Sequence, residues 1–182
     1  MTNDAVALTH FVEVCEAFTK WIDDCKSSGA DLTNLHLLLV ELQAALIRLP
    51  ACDEDADDDD DDVTEEANEA TELLKGRTAH QERWKSLTEK LSVLPVQHYQ
   101  IVFDTLTDGP DVAPVTGWLA DDLADIYLDL KKGLAEMNHG RVDDAIWEWR
   151  FGYFSHWGRH LTHAQCAILD YLREAAAAFQ PT

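Results

Sequence analysis

Residues 143–172 read DDAIWEWRFGYFSHWGRHLTHAQCAILDYL, and this stretch decides the fold. It carries three of the chain's six tryptophans and three of its eight histidines. At about 100° per residue, its larger apolar side chains and one histidine fall within roughly 60° of a common direction. These residues are Ile146, Trp149, Tyr153, Trp157, His160, Ala164, Ile168 and Tyr171. The pattern predicts one long helix with an unbroken apolar stripe.

Two glycines, Gly152 and Gly158, lie within this predicted helix. Each costs a helix roughly 1 kcal/mol relative to alanine, so tertiary packing must compensate or the helix must bend. We therefore expect a close neighbouring helix or a bend near Gly158. Arg150 and His160 project from the apolar side of the same helix. Because an unpaired buried charge is expensive, they predict acidic or carbonyl partners on a facing helix.

The chain has 182 residues and an apolar fraction of 46%, which suffices to bury a sizeable core. Helical periodicity recurs along most of its length. It predicts an all-α fold, with a single helical domain over residues 1–182 built as a bundle of about five or six helices. The four cysteines have no zinc-type spacing and are interpreted as reduced thiols; they are Cys15, Cys25, Cys52 and Cys166.

The other predicted helices cover residues 4–26, 31–50, 64–95 and 117–138. Gly76 is a candidate interruption of the third of these. Residues 96–116 are predicted to be an extended or irregular connection, in which HYQIVFDTL is either a short strand or an extended segment.

The formal net charge of -21 argues against a general nucleic-acid-binding role, since phosphate contacts require a basic surface. It also disfavours anionic membranes, and the sequence has no apolar run of about 18 residues that spans a bilayer. The opening MTNDAVALTHF lacks the basic and apolar segments of a secretory signal. We therefore expect a cytoplasmic protein that binds neither nucleic acid nor membrane.

Much of the negative charge lies in residues 52–63, which contain the run DEDADDDDDD. Like charges repel one another and cannot bury apolar area, so this segment is predicted to be a disordered acidic loop. A calcium site or a site for a basic partner is the alternative interpretation, but the glycine and the ligand spacing of an EF-hand are missing.

A polar cluster is predicted between the last two helices. Asp122 and Asp129 share one flank of helix 117–138, and Asp125 lies further round. They are expected to face the basic side chains of the C-terminal helix, which are Arg150, His156, Arg159, His160 and His163. Arginine and histidine beside carboxylates commonly form a structural seam of ion pairs and hydrogen bonds, and the sequence favours this interpretation.

The same cluster is a candidate for a divalent metal. His156 and His160 at i, i+4 share one face, and Asp122 and Asp125 supply carboxylates of the kind that helical bundles use for metals. The helical wheel argues against this site, because His156 and His163 lie roughly 40 to 60° from the inward direction of His160. We therefore predict no cofactor and keep a divalent metal as the alternative.

Trp147, Trp149 and Trp157 suggest an apolar ligand pocket, but tryptophans at helical spacing more often belong to a core. Trp147 lies off the face of the other two, which leaves ring surface for a second neighbour or a subunit interface. The polar and aromatic positions together give six candidate binding residues: Arg150, His160, Trp149, Trp157, Asp122 and Asp129.

Two resemblances to known families bear on function. The motifs EEANE (65–69) and DDLAD (121–125) are similar to the paired acidic motifs of the MazG-type nucleoside triphosphate pyrophosphohydrolases, which implies magnesium-dependent hydrolysis. Here a long, proline-containing segment separates the two motifs. Over the last third of the chain, DDLADIYLDLKKGL and AIWEWRFGYFSHWGRHLTHA resemble a bacterial family catalogued as domain of unknown function 5063, with WEWRF and HWGRHL the most distinctive parts. That resemblance implies an all-helical bacterial cytoplasmic protein and supplies no activity.

From sequence alone we predict a non-enzymatic interaction or structural protein, which acts with an unknown protein partner or by self-association. The competing hypothesis is a metal-binding helical bundle or a metal-dependent hydrolase. Its candidate residues are Asp122, Asp125, Asp129, His156 and His160.

Overall fold

The computed structural model describes residues 2–26, 31–51, 66–102 and 113–178, with the backbone alone over 66–75. The elements follow in the order α1 (Asn3–Asp24), α2 (Leu32–Ile47), α3 (Glu66–Leu91), β1 (His98–Ile101), β2 (Val115–Trp118), α4 (Leu119–Asn138), α5 (Val142–Gly152), a π turn (Tyr153–Trp157) and α6 (Gly158–Ala178). The predicted all-α class is confirmed. The predicted acidic loop, residues 52–63, lies outside the described residues.

The first three helices follow the predicted boundaries closely. The hydroxyl of Thr2 accepts a hydrogen bond from the Ala5 amide at the start of α1, and the carboxylate of Asp31 does the same for the Asn34 amide of α2. These caps satisfy amides that have no partner within the helix. α3 continues through Gly76, so the candidate interruption there is wrong.

A small antiparallel hairpin precedes α4. β1 lies within the segment predicted as a strand or extended chain, whereas β2 was not predicted as a separate strand. Tyr99 of β1 pairs with Gly117 of β2. A Cβ at Gly117 would lie 2.6 Å from the Tyr99 ring, so the glycine leaves space for that ring to cross the neighbouring strand. The hairpin thereby brings the Tyr99 hydroxyl to α4.

α4 packs closely against α5 at a glycine. A Cβ at Gly133 would lie 2.2 Å from Nε1 of Trp149, so the indole occupies the space that any larger residue needs. The same nitrogen donates to the carbonyl oxygen of Leu130 at 3.1 Å. The Trp149 ring also contacts the ring of Phe11 in α1 edge to face, with ring centroids 4.9 Å apart.

The predicted C-terminal helix is continuous, but a π turn divides it into α5 and α6. We expected a close neighbouring helix or a bend near Gly158. Gly158 directly follows the π turn, and a Cβ there would lie 2.3 Å from the carbonyl oxygen of Tyr153. A larger residue at this position would therefore collide with the backbone of the turn. π turns occur frequently at functional sites.

Every helix in the described part of the chain contributes to one buried core. Its largest fully buried side chains include Trp149, Trp157, Phe11 and Phe18. Cys15 is a buried free thiol and Cys166 an exposed one, as expected; Cys25 is buried, and Cys52 lies outside the described residues. Burial raises the pKa of the Cys15 thiol. None of the described helices combines the length and apolar composition needed to cross a membrane.

Candidate functional site

Four aspartates lie along α4 on the side that faces the π turn and α6. They are Asp121, Asp122, Asp125 and Asp129. Asp122 and Asp129 are only 4% and 8% exposed. A buried carboxylate requires hydrogen-bond partners or a cation, and the structure supplies one histidine to each of these two.

The inner Asp–His pair joins Asp122 to His160. Nδ1 of His160 lies 2.8 Å from one carboxylate oxygen of Asp122. The hydroxyl of Tyr99 donates to the other oxygen. Burial and the hydrogen bond to this carboxylate both raise the pKa of Tyr99 far above its usual range. Both oxygens of Asp122 are therefore engaged, and the hairpin is tied to the site.

The outer Asp–His pair joins Asp129 to His156. Nδ1 of His156 lies 2.7 Å from one oxygen of Asp129. Nζ of Lys132 approaches the other oxygen at 2.9 Å. The His156 side chain is half exposed, and its ring centroid lies 4.9 Å from that of His160. Each histidine thus has its Nδ1 occupied by a buried carboxylate, which leaves Nε2 for another partner.

Asp125 and Asp121 are held less tightly. Asp121 accepts a hydrogen bond from the indole of Trp84 at 3.1 Å. Asp125 has one ion-pair partner among the described residues, Nε2 of His160 at 3.5 Å, and its side chain is 16% exposed. Asp125 is therefore the largely buried carboxylate of this row that lacks a short hydrogen bond within the described structure.

The pKa values of these groups reflect burial first. Desolvation raises the pKa of Asp125 and of Asp121 above the usual aspartate range, although the charge of His160 opposes the shift. For His160 itself, burial alone would lower the pKa. The hydrogen bond to Asp122 and the negative charges of Asp125, Asp122 and Asp121 outweigh burial and raise it. The cluster therefore binds positive charge favourably.

Two overlapping sets of side chains have the spacing of metal ligands. One is Asp125, His156 and His160; the other is Asp121, Asp122 and His160. Within each set, one ligand atom from each residue lies within 4.8 Å of the others. The two sets differ in which ligand atoms are available to a metal. Both oxygens of Asp122 already accept contacts from Tyr99 and His160, whereas Asp125 has no short hydrogen bond among the described residues. The Nε2 atoms of His156 and His160 form no short hydrogen bond there either.

A cleft of about 440 Å³ opens beside these residues. One wall carries polar side chains from α4, the π turn and α6, and the other carries the β hairpin. The lining includes Asp121, Asp122, His156, Arg159, His160 and His163 on the first wall. Burial, and then the charges of His160 and Arg159, lower the pKa of His163 despite the opposing charge of Asp122. His163 is thus predominantly neutral at neutral pH.

The remaining sequence-predicted site residues lie elsewhere. Trp149 and Trp157 are fully buried in the core, and each indole donates to a backbone carbonyl. The expectation that Arg150 faces the aspartates of α4 is wrong. Its guanidinium donates to the carbonyl oxygen of Leu49, just beyond α2, at 2.9 Å. A carbonyl partner for Arg150 was among the expected alternatives, because a buried cation requires an acceptor.

The model of the family described as "Domain of unknown function (DUF5063)" matches residues 5–173. The chain belongs to this family. The match covers nearly the whole chain, not only the last third in which the sequence resemblance was found. Among curated proteins, none matches the chain.

One solved structure is similar to this DUF5063 chain, the crystal structure of protein BF1032 from Bacteroides fragilis. The TM-score is 0.64 at 17% identity, and the alignment covers 97% of this chain and 94% of that one. At that identity the likeness concerns the fold alone.

Three participants in the site were missed from sequence. Tyr99 and Trp84 reach the aspartates from β1 and α3, and no local pattern connects those positions to α4. The π turn was missed because a helical wheel assumes a constant rotation per residue. The one sequence signal for it is the pair of glycines, Gly152 and Gly158, that bracket the turn.

Proposed function

We propose that this protein binds a divalent metal through Asp125, His156 and His160. The observation that carries the proposal is the anchoring of both histidines: each Nδ1 contacts a buried aspartate, at 2.7 Å for His156 and 2.8 Å for His160. Histidines that bind metals almost always donate their second ring N–H to a carboxylate or carbonyl, which orients the ring and strengthens the ligand.

Asp125 supports the proposal independently. Its burial raises its pKa and it has no short hydrogen bond among the described residues. A carboxylate buried in this way costs folding free energy at neutral pH unless a cation compensates. A bound metal ion would provide that compensation. It would also compete with protonation of His160, which the neighbouring carboxylates favour by raising its pKa.

The ligand chemistry favours zinc, iron(II) or manganese(II) over magnesium or calcium, since two of the three ligands are imidazoles. Such an ion, with open coordination positions, would polarise an oxygen ligand and activate bound water. The chain's own residues would orient the ligands: Asp122 and Asp129 hold the imidazoles, and Tyr99 holds Asp122. The MazG-type magnesium alternative depends on side chains at 65–69, which lie outside those described.

A non-enzymatic interaction protein is the second candidate, because large aromatic side chains remain exposed. Trp147 and Phe151 stack with their ring centroids 4.8 Å apart and are 48% and 57% exposed. Exposed aromatic pairs of this kind are common in interfaces. The Asp–His pairs would then form only a structural seam between α4 and the C-terminal helix.

Metal analysis separates the two candidates. The protein would be purified without chelator, its metal content determined by mass spectrometry, and zinc affinity measured by calorimetry after stripping. Asp125→Asn and His156→Gln should each reduce zinc affinity at least about tenfold, because each removes one ligand. His163→Gln is the matched control, since His163 lines the cleft but belongs to neither ligand set.

The control variant should retain zinc affinity within about twofold. A wild-type protein that takes up none of zinc, iron(II) and manganese(II) would contradict the metal proposal, as would an equal loss in all three variants. Asp121→Asn distinguishes the two ligand sets, because Asp121 belongs only to the alternative one.

A further inference from the structure

The cleft has a second wall that the metal ligands do not use. It is formed by the β hairpin, and its apolar members are Ile101, Val115 and Trp118; the aromatic ring of Phe154 in the π turn also lines the cleft. The polar wall and the apolar wall thus face one space of about 440 Å³. Sites for small organic molecules commonly have this size and combine an apolar lining with a few polar groups.

Phe154 is the most exposed of the large apolar side chains in the described part of the chain, at 76%. It lies two residues before His156, so an aromatic ring borders the proposed metal ligands. Trp118 is partly buried across the cleft, where it contacts Trp84 edge to face at 6.1 Å between centroids. Aromatic rings on a cleft wall bind apolar and planar groups through their large contact area.

The charge of the polar wall determines when an anion can enter. Asp121 and Asp122 line the cleft with the two histidines, and Asp125 lies beside them. Without a metal, these carboxylates repel an anion at close range. With a divalent ion on Asp125, His156 and His160, the open coordination positions attract oxyanions. Arg159 adds a positive charge to the same wall.

Building on the proposed metal site, we infer that the cleft binds a small organic oxyanion with an apolar or aromatic body. The oxyanion ligates the metal, and the body contacts Trp118 and Phe154. Binding is ordered, because the metal must be present before the anion enters. His156 and His160 belong to both features: they are in the ligand set and they line the cleft.

Phenyl phosphate is the test probe, titrated by calorimetry into zinc-loaded protein and into stripped protein. Inorganic phosphate lacks the apolar body, and benzyl alcohol lacks the charge; both should bind at least about tenfold more weakly than phenyl phosphate. Benzoate distinguishes a carboxylate from a phosphate group as the preferred oxyanion. Either preference supports the inference, provided that the aromatic anion binds and that it requires zinc.

Phe154→Ala should weaken phenyl phosphate binding about fivefold, because it removes one aromatic contact. Phe151→Ala is the matched control. Phe151 lies at the end of α5, next to the π turn, and is 57% exposed, but it does not line the cleft. It should change the affinity less than about twofold. Neither substitution should alter zinc affinity, and circular dichroism would verify the fold of both.

The outcomes separate this inference from the metal proposal. Zinc binding without phenyl phosphate binding overturns the inference alone. Equal binding of phenyl phosphate and inorganic phosphate, or equal loss in Phe154→Ala and Phe151→Ala, also overturns it. Equal binding to stripped protein contradicts the ordered entry. If no metal binds, both proposals are wrong.

Discussion

The two sides of the interface between α4 and the C-terminal helix differ in how fully packing explains them. On the aromatic side, Trp149 and Trp157 are completely buried, and their indoles donate to backbone carbonyls at 3.1 and 3.2 Å. On the polar side, Asp125 is largely buried but has its nearest charged neighbour among the described residues at 3.5 Å.

The difference distinguishes the side whose side chains packing explains from the side on which we propose the metal site. Both indole N–H groups on the aromatic side have a carbonyl acceptor, so these side chains need no ligand to be satisfied. The polar side contains carboxylates whose burial raises their pKa, which means that their charge costs folding free energy. Groups retained at such a cost are typical of functional sites, where stability is given up for activity.

Gly133→Ala tests the aromatic side and should have the largest effect. The new Cβ would lie 2.2 Å from Nε1 of the Trp149 indole, so ring or helix must move. We expect a loss of about 1 to 3 kcal/mol in the free energy of unfolding, measured by chemical denaturation. Gly76→Ala is the control, because nothing lies within 4 Å of its added Cβ. That variant should be neutral or gain up to about 1 kcal/mol.

A pair of double-mutant cycles tests the polar side. Asp122→Ala with His160→Ala should show a coupling of about 1 kcal/mol, because both groups are shielded from solvent. Asp129→Ala with His156→Ala should show less, about 0.5 kcal/mol, since the His156 side chain is 51% exposed. Additive effects in the inner cycle would show that the Asp122–His160 contact contributes nothing to stability.

Asp125→Asn should change stability in the opposite direction. The amide removes a buried charge whose pKa is raised by desolvation, so the metal-free protein should gain stability, by less than about 1 kcal/mol after solvent screening. Thermal unfolding with chelator present measures the change. A clear loss of stability would instead assign Asp125 to the structural seam and weaken the distinction between the two sides.

The contribution of His160 to the pH dependence of the unfolding free energy should be the smallest effect. Its folded pKa is raised above the usual value of about 6.5, mainly by Asp122, against the effect of burial. The stabilisation is therefore fully present below about pH 6.5 and is lost as pH rises through the folded pKa. In chelator, the difference in unfolding free energy between wild type and His160→Gln should shrink from pH 6 to pH 8. A difference that grows with pH would contradict the sign of the shift.

Much of the polar side could be predicted because periodicity places side chains on helix faces. Asp122 lies on the flank of one apolar stripe and His160 within the other, so their pairing follows from packing the two stripes together. Arg150 was misplaced for the same reason: the pattern gives the face of a helix but not which of several neighbours supplies the acceptor, here the carbonyl of Leu49.

The rest depends on features without a local pattern. Tyr99 lies on a four-residue strand, and its contact with Asp122 requires the hairpin register that places Gly117 opposite its ring. His156 looked like a boundary residue because a helical wheel assumes uniform α geometry. The helix is locally wound as a π turn at that position, and the ring contacts Asp129.

The π turn also makes the site sensitive to chain length. Its hydrogen bonds run to the fifth residue instead of the fourth, so it holds one residue more than the α turn it replaces. Deleting one residue within Tyr153–Trp157 would restore an α turn and leave α5 and α6 nearly aligned, because the wide turn absorbs the rotation of its extra residue. The histidine most affected would be His156, which lies inside the turn and contacts Asp129, whereas His160 lies beyond it in α6. The outer Asp–His pair therefore depends on the extra residue: a helix one codon shorter would keep the apolar stripe and lose the position of His156.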